Sequence, residues 1–590
     1  MKQFFKMMLA SAVGVVIAGG ILSFISFMMM IGVISSLSSS SDKLPKGDEK
    51  VLALALRGSL PEVSVDNPFG NLLNQNKSHS VKDIISAIEN AKENKQIEGI
   101  LLDVDYLLAG TATVDYLRRA LIDFKQSGKF IVAYGDSYSQ NGYYLSSVAD
   151  KVFLNPLGML SLTGFSRQSM FYKGILKKAG VEILVFKVGT FKGAVEPFML
   201  DKLSDANREQ ITAYQQGLWK NIVVNIAADR NITDEMINGF ADNGLMFSKA
   251  ENAVEYGLVD ELKYREDALK YVKELVGADL MKPLKTVDVA KMKNFSKKKP
   301  ALKADRIAVV YAEGDITSSV FVSPYSNGNN ITEKLVDELI KIKRDDKVKA
   351  VVLRVNSPGG SIFVSEQIWK QVNDLKNEKK IVVSMGDVAA SGGYYIACAA
   401  DKIIAEANTL TGSIGVFGTF PNMTGLFNML DLTTDVVKTN KYSDMLDPSR
   451  PMREDEKAII QTHVEQMYDL FLQRCADGRG MTKEEIDVIA QGRVWTGEKA
   501  LEIGLVDELG DIDYAIKVAA ELAGLTDYQV KTVTGSSDSL MDFLKKQMGE
   551  SKSSVVKEAL GDDYELMNKI RSIRQATGIQ ARLPFDMEVL

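Results

Sequence analysis

The chain reads as an α/β protein made of two tandem copies of one domain behind a single N-terminal transmembrane helix. Three observations predict this. A long uncharged apolar stretch lies near the start, much of the remaining sequence repeats itself at a near-constant offset, and each repeat alternates short β-branched runs with longer helical patterns. With 590 residues, 46% of them hydrophobic, the chain can bury large cores. A charged fraction of 25% and a net charge of −6 exclude a disordered tail and a basic nucleic-acid binder. Two cysteines, Cys398 and Cys475, are too few for a disulfide framework, and neither suggests a metal site. The only histidines are His79 and His463, which leaves little material for histidine catalysis or metal binding.

Taken in order, residues 1–6 form a short tail and residues 7–37 the membrane anchor. No charged side chain occurs from Met7 to Ser41, which exceeds the roughly 20 residues needed to span a bilayer. A cleavable export signal would carry a shorter apolar core. Lys2 and Lys6 precede the span while Lys43, Lys46 and Lys50 follow it, so the distribution of positive charge does not set its orientation. A linker, 38–49, leads to the first copy at 50–275. Residues 276–305 form a connector, with eight lysines and two prolines between 282 and 303. The second copy covers 306–530, and a tail at 531–590 carries helical patterns near Leu540 to Met548 and Val555 to Ile573.

The duplication is read directly. Tyr134-Gly135-Asp136 through Gly142-Tyr143-Tyr144 matches Met385-Gly386-Asp387 through Gly393-Tyr394-Tyr395 at an offset of 251. The same offset aligns Ile100 to Asp105 with Val351 to Asn356, and Glu196-Pro197 with Asp447-Pro448. Gly257-Leu258-Val259-Asp260-Glu261-Leu262 recurs as Gly504-Leu505-Val506-Asp507-Glu508-Leu509, where the offset has slipped to 247.

Where the copies differ, chemistry is predicted. In the second copy a strand runs into Ser357-Pro358-Gly359-Gly360-Ser361, a turn that exposes backbone N–H groups along a path glycine follows easily. It is either an oxyanion hole or an ordinary tight turn. The next strand leads to Ser391, followed by Gly392-Gly393 and a small-residue helix. That is the setting of a nucleophile elbow, or of a serine that merely caps the helix. The first copy has Tyr106 to Gly110 at the turn and Gln140 in place of the serine. His463, on a helix, is one candidate base, and lysine is the other, since Ser-Lys pairs replace Ser-His-Asp on several folds. Lys192 lies among glycine, alanine and apolar residues in Phe191 to Phe198 and aligns with Ser443 of the second copy. Desolvation there would favour the neutral amine a base requires, whereas most lysines simply reach the surface. Cys398 reads as a small buried residue.

Val355 to Gly360, Gly386 to Tyr395, Leu410-Thr411-Gly412-Ser413-Ile414-Gly415-Val416-Phe417-Gly418 and Phe191 to Phe198 together resemble the signal peptide peptidase A family, of the long, duplicated, membrane-anchored type. The resemblance covers about residues 50 to 530. It implies two Clp-protease/crotonase-like copies, with Ser391 as nucleophile and Lys192 as general base. The oxyanion would be held by backbone N–H groups of Gly392 and of Gly359 or Gly360. The resemblance implies peptide substrates, specifically signal peptides left behind by export, with no cofactor and no metal. It also implies an inner-membrane anchor with the catalytic part on the periplasmic side, and a homotetramer. Two other classes remain at this stage: a crotonase-type acyl-CoA enzyme, and a non-enzymatic membrane scaffold of the same fold.

Overall fold

The computed structural model describes residues 49–63, 79–295, 304–321, 330–534 and 578–583. The expected anchor at 7–37 and nearly all of the 38–49 linker lie outside these residues. So do 296–303 of the lysine-rich connector, and 535–577 and 584–590 of the tail, including both of its helical patterns. Among the described residues no helix is long and apolar enough to cross a membrane. The chain divides into two compact units that interleave along the sequence. Among the described residues, one takes 49–63, 79–107, 117–161 and 247–295, the other 108–116, 162–246, 304–321, 330–534 and 578–583.

The first unit is built on a six-stranded sheet in the order Glu261–Leu262, Lys151–Leu154, Phe130–Gly135, Gly99–Leu108, Val51–Ser59, Thr286–Val287. Phe130–Gly135 runs parallel to both neighbours. Its residues from Ile131 to Gly135 are all buried, as expected for a strand covered on both faces. The helix Val81–Glu93 starts where Ser80 Oγ accepts the Asp83 N–H, and it turns Ile84, Ile88 and Ala91 inward. Part of the expected connector belongs to this unit. Thr286 and Val287 pair with Val51 and Leu52, and Asn90 Nδ2 donates to the carbonyls of Met292 and Lys293. The polar composition of 276–305 conceals Val287, Val289 and Met292, which are buried while Lys291 between them is exposed.

The second unit holds an eight-stranded sheet centred on Lys380–Ala390. This strand pairs in parallel with Val348–Ser357 on one side and with Lys402–Ala405, then Leu410–Gly412, on the other. It runs as far as Ala390 because Val388 to Ala390 find a new partner in Leu410–Gly412. The helix Ile362–Lys376, capped by Ser361, buries Val364, Ile368, Val372 and Leu375 at helical spacing against this sheet.

A second sheet of this unit runs in the order Asn330–Ile331, Asp315–Ile316, Gly359–Ser361, Gly578–Arg582, Val416–Asn422, Glu182–Val188. Its edge strand Glu182–Val188 comes from the first repeat and pairs antiparallel with Val416–Asn422 of the second over seven residues, from Val188 opposite Val416 to Glu182 opposite Asn422. Phe186 is buried there, edge-on to Phe420 at 5.9 Å. A one-residue slip would turn Phe186 to the other face, so the register is set by packing. Because this pairing ends at Val188, the chain that follows, including Lys192, is delivered to the second repeat.

Candidate active site

Ser391 follows directly on the strand Lys380–Ala390 and occupies the N-cap position of the short helix Gly392–Ala397. Its backbone lies at φ 56° and ψ −114°, and its side chain makes no capping bond. A non-glycine residue held there costs on the order of 1–3 kcal/mol and persists only where the surroundings impose it. They do: the Ser391 N–H donates to the Gly412 carbonyl at 2.8 Å, and the Ser391 carbonyl accepts from Tyr395 at 2.8 Å. Gly393 packs so tightly on the Ser357 carbonyl that a methyl group would meet it at 2.6 Å. The first repeat shows the ordinary alternative. There Ser139, at φ −68° and ψ 162°, caps Gln140–Ser146 by accepting from the Gly142 N–H. Ser391 therefore sits at a cap without serving as one, and its hydroxyl is left for another partner.

That partner is Lys192. Its Nζ lies 2.8 Å from Ser391 Oγ, 2.9 Å from the Ser413 carbonyl oxygen and 3.0 Å from Ser413 Oγ. Lys192 has 0% exposure, and no carboxylate pairs with it among the described residues. Burial alone holds its amine well below the usual lysine range, because desolvation penalises the ammonium and no anion offsets it. A neutral amine has two N–H donors and one lone pair. The two oxygens of Ser413 take the donors, which leaves the lone pair for the hydroxyl of Ser391.

Backbone packing holds Lys192 in place. Phe191 N donates to the Gln491 carbonyl at 2.8 Å, and Gln210 Nε2 donates to the Phe191 carbonyl at 2.8 Å while its Oε1 accepts from Val494 N. Gly492, at φ 78°, lies so close that a methyl group would meet Lys192 Cβ at 2.7 Å. Four residues before the nucleophile in sequence, the carboxylate of Asp387 accepts from Thr113 N and Oγ1 at 2.8 and 2.6 Å.

The glycines of the turn separate. Gly359, at φ 95°, lies against Gly392: a methyl group on it would meet Gly392 N at 2.6 Å. Its own N–H meets Ser357 Oγ at 3.2 Å. Gly360 faces away, toward Asp315–Ile316, where a methyl group would meet the Ile316 carbonyl at 2.0 Å. The structure thus brings Ser391, Lys192, Gly392 and Gly359 together and leaves Gly360 beside the neighbouring strand. His463, the other candidate base, is exposed on the helix Glu454–Arg479, and Ser443 is exposed as well. Cys398 is buried with 0% exposure. Sequence reasoning assigned no role to Ser413, Gly492 or Gln210. Ser413 had a signal, since it stands in the Leu410 to Gly418 motif, and its backbone at φ 52° marks a second strained serine.

The model for peptidase family S49 matches residues 123–279 and 373–526, one match in each repeat, and the Clp protease model matches residues 305–411. A "Protease 4" of Salmonella typhi is 36% identical over 502 residues, covering 83% of this chain and 80% of that one. A "Protease 4" of Haemophilus influenzae is 34% identical over 545 residues, covering 88% of each. A "Serine protease SPPA, chloroplastic" of Arabidopsis thaliana is 30% identical over 541 residues, 90% of this chain and 77% of that one.

Proposed function

The chain belongs to peptidase family S49 and is a serine peptidase with a duplicated, Clp-protease-like α/β fold, and on that premise we propose that Ser391 and Lys192 are its catalytic dyad. Membership of a peptidase family removes the scaffold and acyl-CoA readings. One observation carries the proposal: a buried lysine with no counter-ion among the described residues has its Nζ 2.8 Å from the hydroxyl of a strained serine.

In this reading neutral Lys192 takes the proton from Ser391 as Oγ attacks the peptide carbonyl. The oxyanion is held by the N–H of Gly392, at the start of a helix, and by that of Gly359, which leaves its long bond to Ser357. The resulting ammonium, held by the two Ser413 oxygens, gives its proton to the leaving amine. Water then hydrolyses the acyl-enzyme with Lys192 again as base. The same reading extends to the setting. The apolar stretch 7–37 anchors the chain in the inner membrane with its catalytic part on the periplasmic side, as a homotetramer that degrades signal peptides released by export. The uncharged stretch supports the anchor, and the resemblance to the signal peptide peptidase A family carries the rest.

The test is hydrolysis of a fluorogenic apolar peptide by detergent-solubilised protein. Ser391→Ala and Lys192→Ala should each lower kcat/KM by at least about 10³-fold with folding intact. Full activity in either variant would remove that residue from the mechanism.

A further inference from the structure

The loop that carries Lys192 is tied to the helix Asp205–Arg230 by a chain of buried polar side chains, Glu196, Asn207 and Gln210. Glu196 Oε1 accepts from Ser204 Oγ at 2.5 Å, and its Oε2 accepts from Ser204 N at 3.1 Å and from Asn207 Nδ2 at 3.0 Å. Asn207 Oδ1 accepts from Gln210 Nε2 at 2.8 Å, and the same nitrogen donates to the Phe191 carbonyl. Gln210 Oε1 takes the N–H of Val494 at 3.0 Å, next to Arg493, whose carbonyl accepts from Ser413 N at 2.7 Å. Gly193 leaves no gap in this packing, since a methyl group on it would collide with Asn207 Nδ2. The donors and acceptors run one way. A carboxylate only accepts, so Asn207 turns its amide nitrogen to Glu196 and its oxygen to Gln210, which has N–H groups for Asn207 and Phe191 and an oxygen left for Val494. The other repeat uses these positions differently. Asp447, aligned with Glu196, accepts from Ser449 N two residues on, and matching the starts of the helices Asp205–Arg230 and Glu454–Arg479 puts Glu456, paired with Arg450, at the place of Asn207 and Ile459 at that of Gln210.

We propose that Glu196 and Asn207 are positioning residues for acyl transfer: through Gln210 they hold the Phe191–Lys192 main chain against Val494, beside the residue that holds Ser413, and so aim Lys192 Nζ at Ser391. This rests on the dyad reading above. The carboxylate orders the loop without reaching the base. Two neutral amides stand between it and the Phe191 carbonyl, and all of its hydrogen bonds named above go to Ser204 and Asn207. A carboxylate beside Nζ would instead stabilise the ammonium and leave no lone pair for the serine proton. Fixing the amine through its main chain matters, because a misplacement of about 1 Å costs on the order of 10²-fold in rate.

The test is single-turnover acylation of full-length protein by a fluorogenic active ester, followed over a range of ester concentrations. Asn207→Asp sets carboxylate against carboxylate. It should lower the limiting acylation rate at least about 10-fold while the half-saturating ester concentration stays within about twofold. An aspartate at the third position of a helix is favoured by the helix dipole, so a general loss of helix stability does not account for such a fall. Adding Glu196→Gln transposes the pair, with an amide now donating to a carboxylate in the reverse sense, and should bring the rate back to within about threefold of wild type. A defect of packing alone would not be relieved by the second substitution. Asn207→Leu, which fills the volume with neither donor nor acceptor, should show the same fall and decides the matter if Asn207→Asp does not fold. A wild-type limiting rate in either folded single variant, a loss confined to the half-saturating concentration, or a transposed pair no faster than Asn207→Asp alone each overturns the proposal. If instead Ser391→Ala is acylated at the wild-type rate, it is the dyad that fails.

Discussion

Ser413→Ala should slow acylation by roughly 5- to 150-fold and move its alkaline limb toward acid, while leaving the fold intact. Ser413 supplies two of the three oxygens around Lys192 Nζ, at 2.9 and 3.0 Å, and the third belongs to Ser391 at 2.8 Å. Removing Oγ strands one buried N–H, at a cost of about 1–3 kcal/mol. The amine escapes that cost by turning the N–H toward Ser391, which points its lone pair away from the proton it must take. Restoring the reactive orientation costs the same 1–3 kcal/mol, which is the stated loss in rate. The pH shift has a definite sign. An acceptor stabilises the ammonium more than the amine, by about 1 kcal/mol, so its removal lowers the Lys192 pKa further, by about 0.7 unit. Single-turnover acylation by a fluorogenic active ester from pH 6 to 10 measures both quantities. Ser413→Gly, which removes the same oxygen and relieves the φ of 52°, is the control and should behave alike. A plateau within twofold of wild type and an unmoved limb would refute the assignment of Ser413 as the group that orients the lysine.

Two further outcomes follow from the packing around the lysine. Gly492→Ala places a methyl group 2.7 Å from Lys192 Cβ at a φ of 78°, and should cost about 1–3 kcal/mol in stability together with most of the activity; a variant with wild-type midpoint and rate contradicts this. Between the lowered pKa of folded Lys192 and the ordinary value near 10.4, the unfolded chain holds the extra proton, so this residue makes stability rise with pH by up to about 1.4 kcal/mol per unit. Lys192→Met should abolish that slope, and a stability difference from wild type that stays flat from pH 6 to 10 in denaturant titrations would show that the lysine titrates normally.

The duplication made much of the site legible. Comparing the copies isolates Ser391 against Gln140, the Pro-Gly-Gly turn against Tyr106 to Gly110, and Lys192 against Ser443, all without any structure. The strain at Ser391 was not legible, because it arises from bonds to Gly412 and Tyr395 that no local pattern reports. The roles of Gly492 and Gln210 were hidden too. Gly492 meets the Lys192 main chain from 300 residues away, and Gln210 reaches the Phe191 carbonyl from the following helix while its Oε1 holds Val494 N of the second repeat. The strand 578–582 reads Gly-Ile-Gln-Ala-Arg, too short and irregular for a period, and its place comes from pairing on both edges. Similarly, no periodicity announces that 162–246 packs with the second repeat. That follows from the seven-residue pairing of Glu182–Val188 with Val416–Asn422.

The central claim is that Lys192 activates Ser391 for acyl transfer. It is tested most directly by trapping the acyl-enzyme with an activated ester and mapping the adduct by peptide mass in wild type, Ser391→Ala and Lys192→Met. The account predicts one adduct, on Ser391, forming faster as pH rises in wild type, absent in Ser391→Ala and slowed by at least about 10³-fold in Lys192→Met. An adduct on another residue, or acylation of Lys192→Met at the wild-type rate, would contradict it.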